Sequence, residues 1–384
     1  MGKMKFRLLP TEKTDIEHSM SKLLSRDDAS AIISVSMTKT KTKTPQEPVE
    51  TAEKSVAAKP STTTHLLGWQ GVTLSIPENW NLTQFKGNSP KGQLRVDDED
   101  APRLEIRWET PTSTIDIKKS VDKLMTSLER AARKRREPFE RAEKPLVVAK
   151  SRKRKDRLTN FGWIGEPSSF AAQSWGVSWQ CPDCKRVVVA HILGRGEEKP
   201  ERVRELAGRV LESLECHSEG GWQTWSVFDL RVEVPEAFRL ERAKLVTGRL
   251  ELDWVRGQTG GHFGWSRRNE RVQLTRFSLA STLMHNEDLS QWTQRVVKES
   301  DKKVRWGKLE ATEVLGCDGL STRGAWKDVR KVLIHQVLDA LRKKAPSPPQ
   351  LRVWHDAKTN KIFVLKSDVQ PENAHIVDDI LESL

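Results

Sequence analysis

The sequence predicts an α+β protein: two tandem, diverged copies of an antiparallel sheet covered by helices, behind a flexible N-terminal arm. Three observations predict it. The stretch Trp179-Gln180-Cys181-Pro182-Asp183-Cys184-Lys185-Arg186-Val187-Val188-Val189 has an echo in Trp354-His355-Asp356-Ala357-Lys358-Thr359-Asn360-Lys361-Ile362-Phe363-Val364. In both, a Trp leads through polar or turn-forming residues to a basic residue and then an apolar run rich in β-formers. Each stretch is followed by a helical segment with nearly the same ending, Val210-Leu211-Glu212-Ser213-Leu214 and Ile380-Leu381-Glu382-Ser383-Leu384. Each half also opens on a strand that stops at Pro-Glu-x-aromatic, with Leu82 and Leu240 closing the pattern.

At 384 residues the chain exceeds one ordinary core, and two or three domains are expected. Residues 1–65 read as the arm. The runs Met20 to Leu24 and Ala29 to Met37 suit short local structure. Lys39-Thr40-Lys41-Thr42-Lys43-Thr44-Pro45 and Pro48 to Thr64 are too polar to offset the entropy of ordering. Residues 66–219 form the first copy and 220–384 the second.

Order begins at Leu66-Leu67-Gly68-Trp69. Val72, Leu74 and Ile76 alternate with polar residues, as half-buried strands do, and Leu230, Val232 and Val234 repeat the pattern. Strands entered from a glycine follow at Gly92 to Val96 and Gly248 to Leu252. Leu104, Ile106 and Trp108 alternate in a further strand, matched by Val272 and Leu274. Ile117, Val121, Leu124, Met125 and Leu128 recur at helical spacing, with Thr114 or Asp116 available as the cap. Leu289, Trp292, Val296 and Val297 predict the equivalent helix of the second copy. The closing helix of the first copy is expected from near Pro200, with Val203, Leu206, Val210, Leu211 and Leu214 on one face. An extra element is expected at Val329 to Leu341.

Opening strands that end in Pro-Glu-x-aromatic, a helix after the first strands and a terminal helix over the sheet resemble one known architecture. It is the α/β/α sandwich of the photosystem II extrinsic subunits of the PsbP type and the Ran-GTPase-binding proteins of the same superfamily. The resemblance spans about 66–384 as two copies. It implies non-catalytic binders or assembly factors, and it assigns no site residue.

The sharpest chemical feature is Cys181-Pro182-Asp183-Cys184. Two thiolates at a turn chelate zinc, and a structural site needs four ligands. Cys216 and His217, just past the closing helix of the same copy, complete a set of three Cys and one His. The alternative is a tight hairpin whose cysteines are incidental, and the second copy has Asp356 and Thr359 in their place. A thioredoxin-like role is disfavoured, because the motif precedes a strand and not a helix N-terminus. Four cysteines are too sparse for a secreted disulfide framework.

Charge is unevenly spread. Residues 129–157 hold thirteen Lys or Arg against five Asp or Glu, more than half of the chain's net +13. Arg133, Lys134, Arg135 and Arg136 end a helix, and Arg152, Lys153, Arg154, Lys155 and Arg157 fall in a loop. Phosphates neutralised by such residues release counterions, which makes RNA or DNA a physically reasonable partner. Trp163 and Trp175 lie close enough in sequence to stack bases. The bland reading is a solvated face beside a helix C-terminus.

No other motif carries chemistry. Gly257 to Gly264 lacks the Lys-Ser or Lys-Thr of a phosphate cradle, and Gly194-Arg195-Gly196 lacks the third glycine of a dinucleotide turn. His191 and His335 sit among apolar residues, His285 in a loop, and Asp97 to Asp100 in a turn. The sequence therefore predicts a non-enzymatic binding, adaptor or assembly protein with a protein partner. The alternative is a nucleic-acid-binding protein that uses 130–157. No small-molecule substrate is indicated, and zinc is the one cofactor the residues suggest. With no run of ~20 apolar residues and no leader-like start, the expected setting is cytoplasmic, without membrane contact.

Overall fold

The computed structural model describes residues 63–143, 158–169, 171–257, 270–299, 301–327 and 348–384. It corrects the fold class. The protein is mostly β: among the described residues there are nineteen strands, and only two helices exceed nine residues. The short local structure expected at Met20 to Leu24 and Ala29 to Met37, and the extra strand or helix expected at Val329 to Leu341, lie outside the described residues.

By its contacts the chain falls into two units: the residues up to Leu67 with Val72–His217, and Gly68–Gly71, which include the end of the first strand, with Ser218–Leu384. Unit one opens on β1 (Thr64–Trp69) and β2 (Val72–Pro77). It continues through β3 (Asn81–Gly87), β4 (Lys91–Asp97), β5 (Pro102–Glu109) and α1 (Ile117–Arg135). Then come β6 (Phe139–Arg141), β7 (Thr159–Gly165), β8 (Gln173–Gln180), β9 (Val187–Gly194) and α2 (Pro200–Glu212). Its seven-stranded antiparallel sheet has the order β3-β4-β5-β9-β8-β7-β6.

Unit two opens on the hairpin β10 (Trp222–Val227) and β11 (Leu230–Pro235), followed by β12 (Arg239–Val246), β13 (Arg249–Arg256) and β14 (Glu270–Ser278). Two short helices follow, α3 (Ala280–Met284) and α4 (Leu289–Trp292), and the second runs on as a π-helix over Thr293–Lys298. Strands β15 (Val304–Trp306), β16 (Glu310–Val314), β17 (Cys317–Trp326), β18 (Gln350–Asp356) and β19 (Lys361–Asp368) lead to α5 (Ala374–Glu382). The sheet order is β12-β13-β14-β19-β18-β17-β15, with β16 on β17.

Apart from the added β16 this is the strand order of unit one, and small details recur with it. Both first hairpins carry a bulge, between Leu82 and Gln84 and between Leu240 and Arg242. The Trp80 N–H donates to the Pro77 carbonyl and the Phe238 N–H to the Pro235 carbonyl. The Ser213 Oγ accepts from the Ser75 N–H, and the Ser383 Oγ from the Glu233 N–H, each at 2.9 Å.

The helices fall short of a cover for a physical reason. Helix α1 rests on β6, β7 and β8 and α2 on β8, β9 and β2, so β3 and β4 lie beyond the main contacts of both. In unit two the predicted helical stretch keeps one α-turn before widening to the π form. The apolar alternation instead feeds strands, where Leu104, Ile106 and Trp108 in unit one and Leu252, Trp254 and Leu274 in unit two are buried. Each such side chain contributes roughly 1.5–3 kcal/mol. Helix α1 starts where its cap demands: the Asp116 carboxylate accepts from the Lys119 N–H at 3.0 Å. Among the described residues no helix is long and apolar enough to cross a membrane.

Candidate metal centre

The four predicted donors come together within unit one. Cys181 and Cys184 occupy the turn from β8 to β9, and Cys216 and His217 follow α2. Their ligand atoms all lie within 4.8 Å of one another. Cys184 Sγ is 3.8 Å from Cys216 Sγ, and His217 Nδ1 is 3.6 Å from Cys181 Sγ and 3.5 Å from Cys216 Sγ. A tetrahedral zinc ion with Zn–S near 2.3 Å and Zn–N near 2.05 Å requires S–S edges of about 3.8 Å and S–N edges of about 3.6 Å. Three edges therefore have zinc dimensions already, and closing the widest takes a shift of about 1 Å. Three thiolates and an imidazole are a soft donor set that suits zinc.

Local folding explains how each donor is placed. The Cys181 N–H donates to the Arg186 carbonyl at 2.8 Å, which closes the turn around Pro182 and Asp183. Lys185 adopts the left-handed region, φ 61°, and this turns the chain into β9. On the other side, Glu215 pairs with Thr73 of β2 through bonds of 2.8 and 3.0 Å, which fixes where Cys216 and His217 emerge. Arg186 joins the two sides. Its guanidinium donates to the Cys216 carbonyl at 2.7 Å and to the Ser89 Oγ at 2.6 Å.

The electrostatics favour a thiolate in this cluster. The hydrogen bond from Cys216 pulls the Cys184 thiol down to about 5 against the opposing effect of burial. The Arg186 backbone N–H, Cys181 and His217 add to the pull. Cys216, sharing that hydrogen bond and buried, is pushed up. With Nδ1 turned to the sulfurs, His217 presents Nε2 to the Asp183 carboxylate at 3.8 Å.

Unit two builds the same turn without sulfur. The Asp356 carboxylate accepts from the Lys358 N–H at 3.0 Å and the Thr359 N–H at 3.3 Å. Asn360, φ 54°, stands where Lys185 does. Cys317 lies elsewhere, at the start of β17.

Of the predicted basic set, the structure describes only the four residues at the end of α1. Arg133, Lys134, Arg135 and Arg136 are exposed at the C-terminal end of α1, where Arg133 pairs with Glu129 at 3.4 Å and Arg135 with Glu137 at 2.6 Å. Arg152, Lys153, Arg154, Lys155 and Arg157 lie outside the described residues, as do His335 and residues 258–264 of the glycine-rich stretch. Trp175 is buried under Arg204 and presents no face to a base. Trp163 stacks on Phe139 at 5.8 Å. Asp98 caps its own turn by accepting from the Asp100 and Ala101 N–H groups at 2.9 and 2.8 Å. His191 is held by Ser174 Oγ at 2.9 Å and Glu105 at 3.5 Å. His285 ends α3.

Sequence reasoning missed Arg186 as a support of the centre. The signal for Arg186 was present: both Trp stretches have a basic residue after the turn, and in unit two Lys361 pairs with Asp229.

No protein-family model matches the chain, and no curated protein matches it. Among solved structures it is similar to the immunity protein TplEi of the T6SS from Pseudomonas aeruginosa in complex with "L" peptide. The identity is 11%, 83% of this chain and 96% of that chain are covered, and the TM-score is 0.29. The apo structure of TplEi is similar at 10% identity, with 83% and 95% covered and a TM-score of 0.29. Neither likeness, at that TM-score, bears on what this chain does.

Proposed function

We propose that this chain is a non-enzymatic binding protein, an adaptor or assembly factor made of two diverged copies of one β-rich module. In this reading a zinc ion held by Cys181, Cys184, Cys216 and His217 locks the first module. The gathering of these four donors within 4.8 Å of one another, with three of their edges already at tetrahedral zinc lengths, carries the reading. Four protein ligands leave no position for water or substrate, so such an ion holds structure and does not turn over substrate. The common strand order, the paired bulges and the paired serine bonds support descent of both modules from one. A module braced in this way serves to present a surface, and the expected partner is another protein.

Elemental analysis of purified full-length protein tests the centre. One zinc per chain is expected, lost in Cys184→Ser. Absence of metal, or metal retained in that variant, overturns the zinc reading. Co-purification with and without nuclease tests the partner class. A partner that survives nuclease supports the protein-binding reading. One lost to nuclease, with binding that falls steeply with salt, points instead to nucleic acid held by Arg133 to Arg136 and Arg152 to Arg157.

A further inference from the structure

The three sulfurs of the cluster are not equally placed. Cys181 and Cys216 are buried, at 4% and 2% exposure, whereas Cys184 is only partly covered. Cys216 Sγ sits 3.8 Å from Cys184 Sγ, with the His217 ring against it. An accessible sulfur beside a second one is the arrangement that two-electron thiol oxidation uses. We propose that the centre is a peroxide-responsive switch, in which a hydroperoxide joins Cys184 to Cys216 and expels the ion. This inference rests on the zinc reading above and adds its regulation.

The chemistry balances with hydrogen peroxide as the oxidant. Cys184 sulfur attacks one peroxide oxygen; an S–O bond forms, the O–O bond breaks, and hydroxide leaves. Cys216 thiolate then attacks the sulfenic sulfur; the S–S bond forms, the S–O bond breaks, and a second hydroxide leaves. Each hydroxide takes a proton from solvent and departs as water. Peroxide gains two electrons and the two sulfurs lose two. A disulfide length near 2.05 Å draws the sulfurs together by about 1.8 Å and removes two corners of the tetrahedron. Cys181 and His217 alone do not hold the ion.

Unit two gives the contrast that makes this a switch of one module. Its turn is held by the Asp356 carboxylate and backbone N–H groups, which peroxide leaves alone. Oxidation therefore loosens the first module and spares the second.

The test uses zinc-loaded, full-length protein, with zinc content measured first. Hydrogen peroxide is then titrated while a metallochromic dye reports released zinc, and thiols and disulfides are mapped by mass spectrometry. One zinc released per disulfide is expected, with Cys184 bonded to Cys216, reversal by dithiothreitol plus zinc, and the same behaviour in Cys317→Ser. Zinc that stays bound under peroxide, or leaves with sulfinic acids or a Cys181–Cys184 bond, overturns the switch and leaves the zinc reading standing. Protein that carries no zinc and takes none up overturns both, and elemental analysis shows this before peroxide is added.

Discussion

At the scale of single residues, unit one depends on a few charged groups placed where water is scarce. Arg103 is 3% exposed and makes paired bonds of 2.7 and 2.8 Å to the Glu198 carboxylate, with Asp98 at 3.5 Å. Burial works to raise the Glu198 pKa, but the Arg103 guanidinium together with the Arg195 N–H and charge outweighs it and holds the carboxyl below its ordinary value. A carboxylate depressed on folding stabilises above its unfolded pKa, and that stability is lost as pH falls through the folded value. Stability should therefore drop as pH falls from the usual glutamate range, ~4.3, to below it. Glu198→Gln should cost about 1–3 kcal/mol at neutral pH and flatten this acid limb, as read from urea midpoints across pH. An unchanged acid limb in the variant would remove Glu198 from the account. Arg186 works in the same way through hydrogen bonds to Cys216 and Ser89, reaching parts of the chain far apart in sequence.

At the scale of elements, the sheet of unit one leaves no space above part of β8. A methyl group on Gly176 would come within 2.4 Å of the Phe161 ring and 2.7 Å of the Ala190 carbonyl oxygen. Phe161 belongs to the small core under α1, with Val121 and Met125. Neither neighbour yields cheaply, since one is backbone and the other a packed ring. Gly176→Ala should destabilise by about 1–3 kcal/mol, with a lower thermal midpoint as the readout. A midpoint within error of the wild type would contradict the packing described. Helix α1 illustrates the opposite case, an element set by local chemistry, since its cap and apolar spacing are both written into Asp116 to Leu128.

At the scale of the whole molecule, the two units share a strand order and differ in how one turn is held. Metal affinity is folding free energy for the unit that binds it. At free zinc a hundredfold above Kd, an ion held as proposed would contribute about 2.7 kcal/mol. Chelation should therefore raise hydrogen exchange in 173–217 and leave 350–384 unchanged, as measured peptide by peptide. Equal deprotection of both stretches would mean that the ion, or its loss, acts on something other than the first module.

Much of this protein is set by short-range sequence. The opening strands, the two Trp stretches and helices α1 and α2 follow from alternation, helical spacing and caps, all of which act over a few residues. The donor set was legible for a similar reason: Cys181 with Cys184, and Cys216 with His217, are each local pairs. Only tertiary structure brings the pairs together, across 32 residues between Cys184 and Cys216, because antiparallel packing of β8 and β9 and the bridge from Glu215 to Thr73 decide it. The excess of strand over helix also came from long-range pairing. Strand β12 buries none of its residues fully, and its register comes from β13 and not from its own pattern. A strand's partners lie far along the chain, whereas a helix bonds within itself, so local reading undercounts strands and overstates the helical cover.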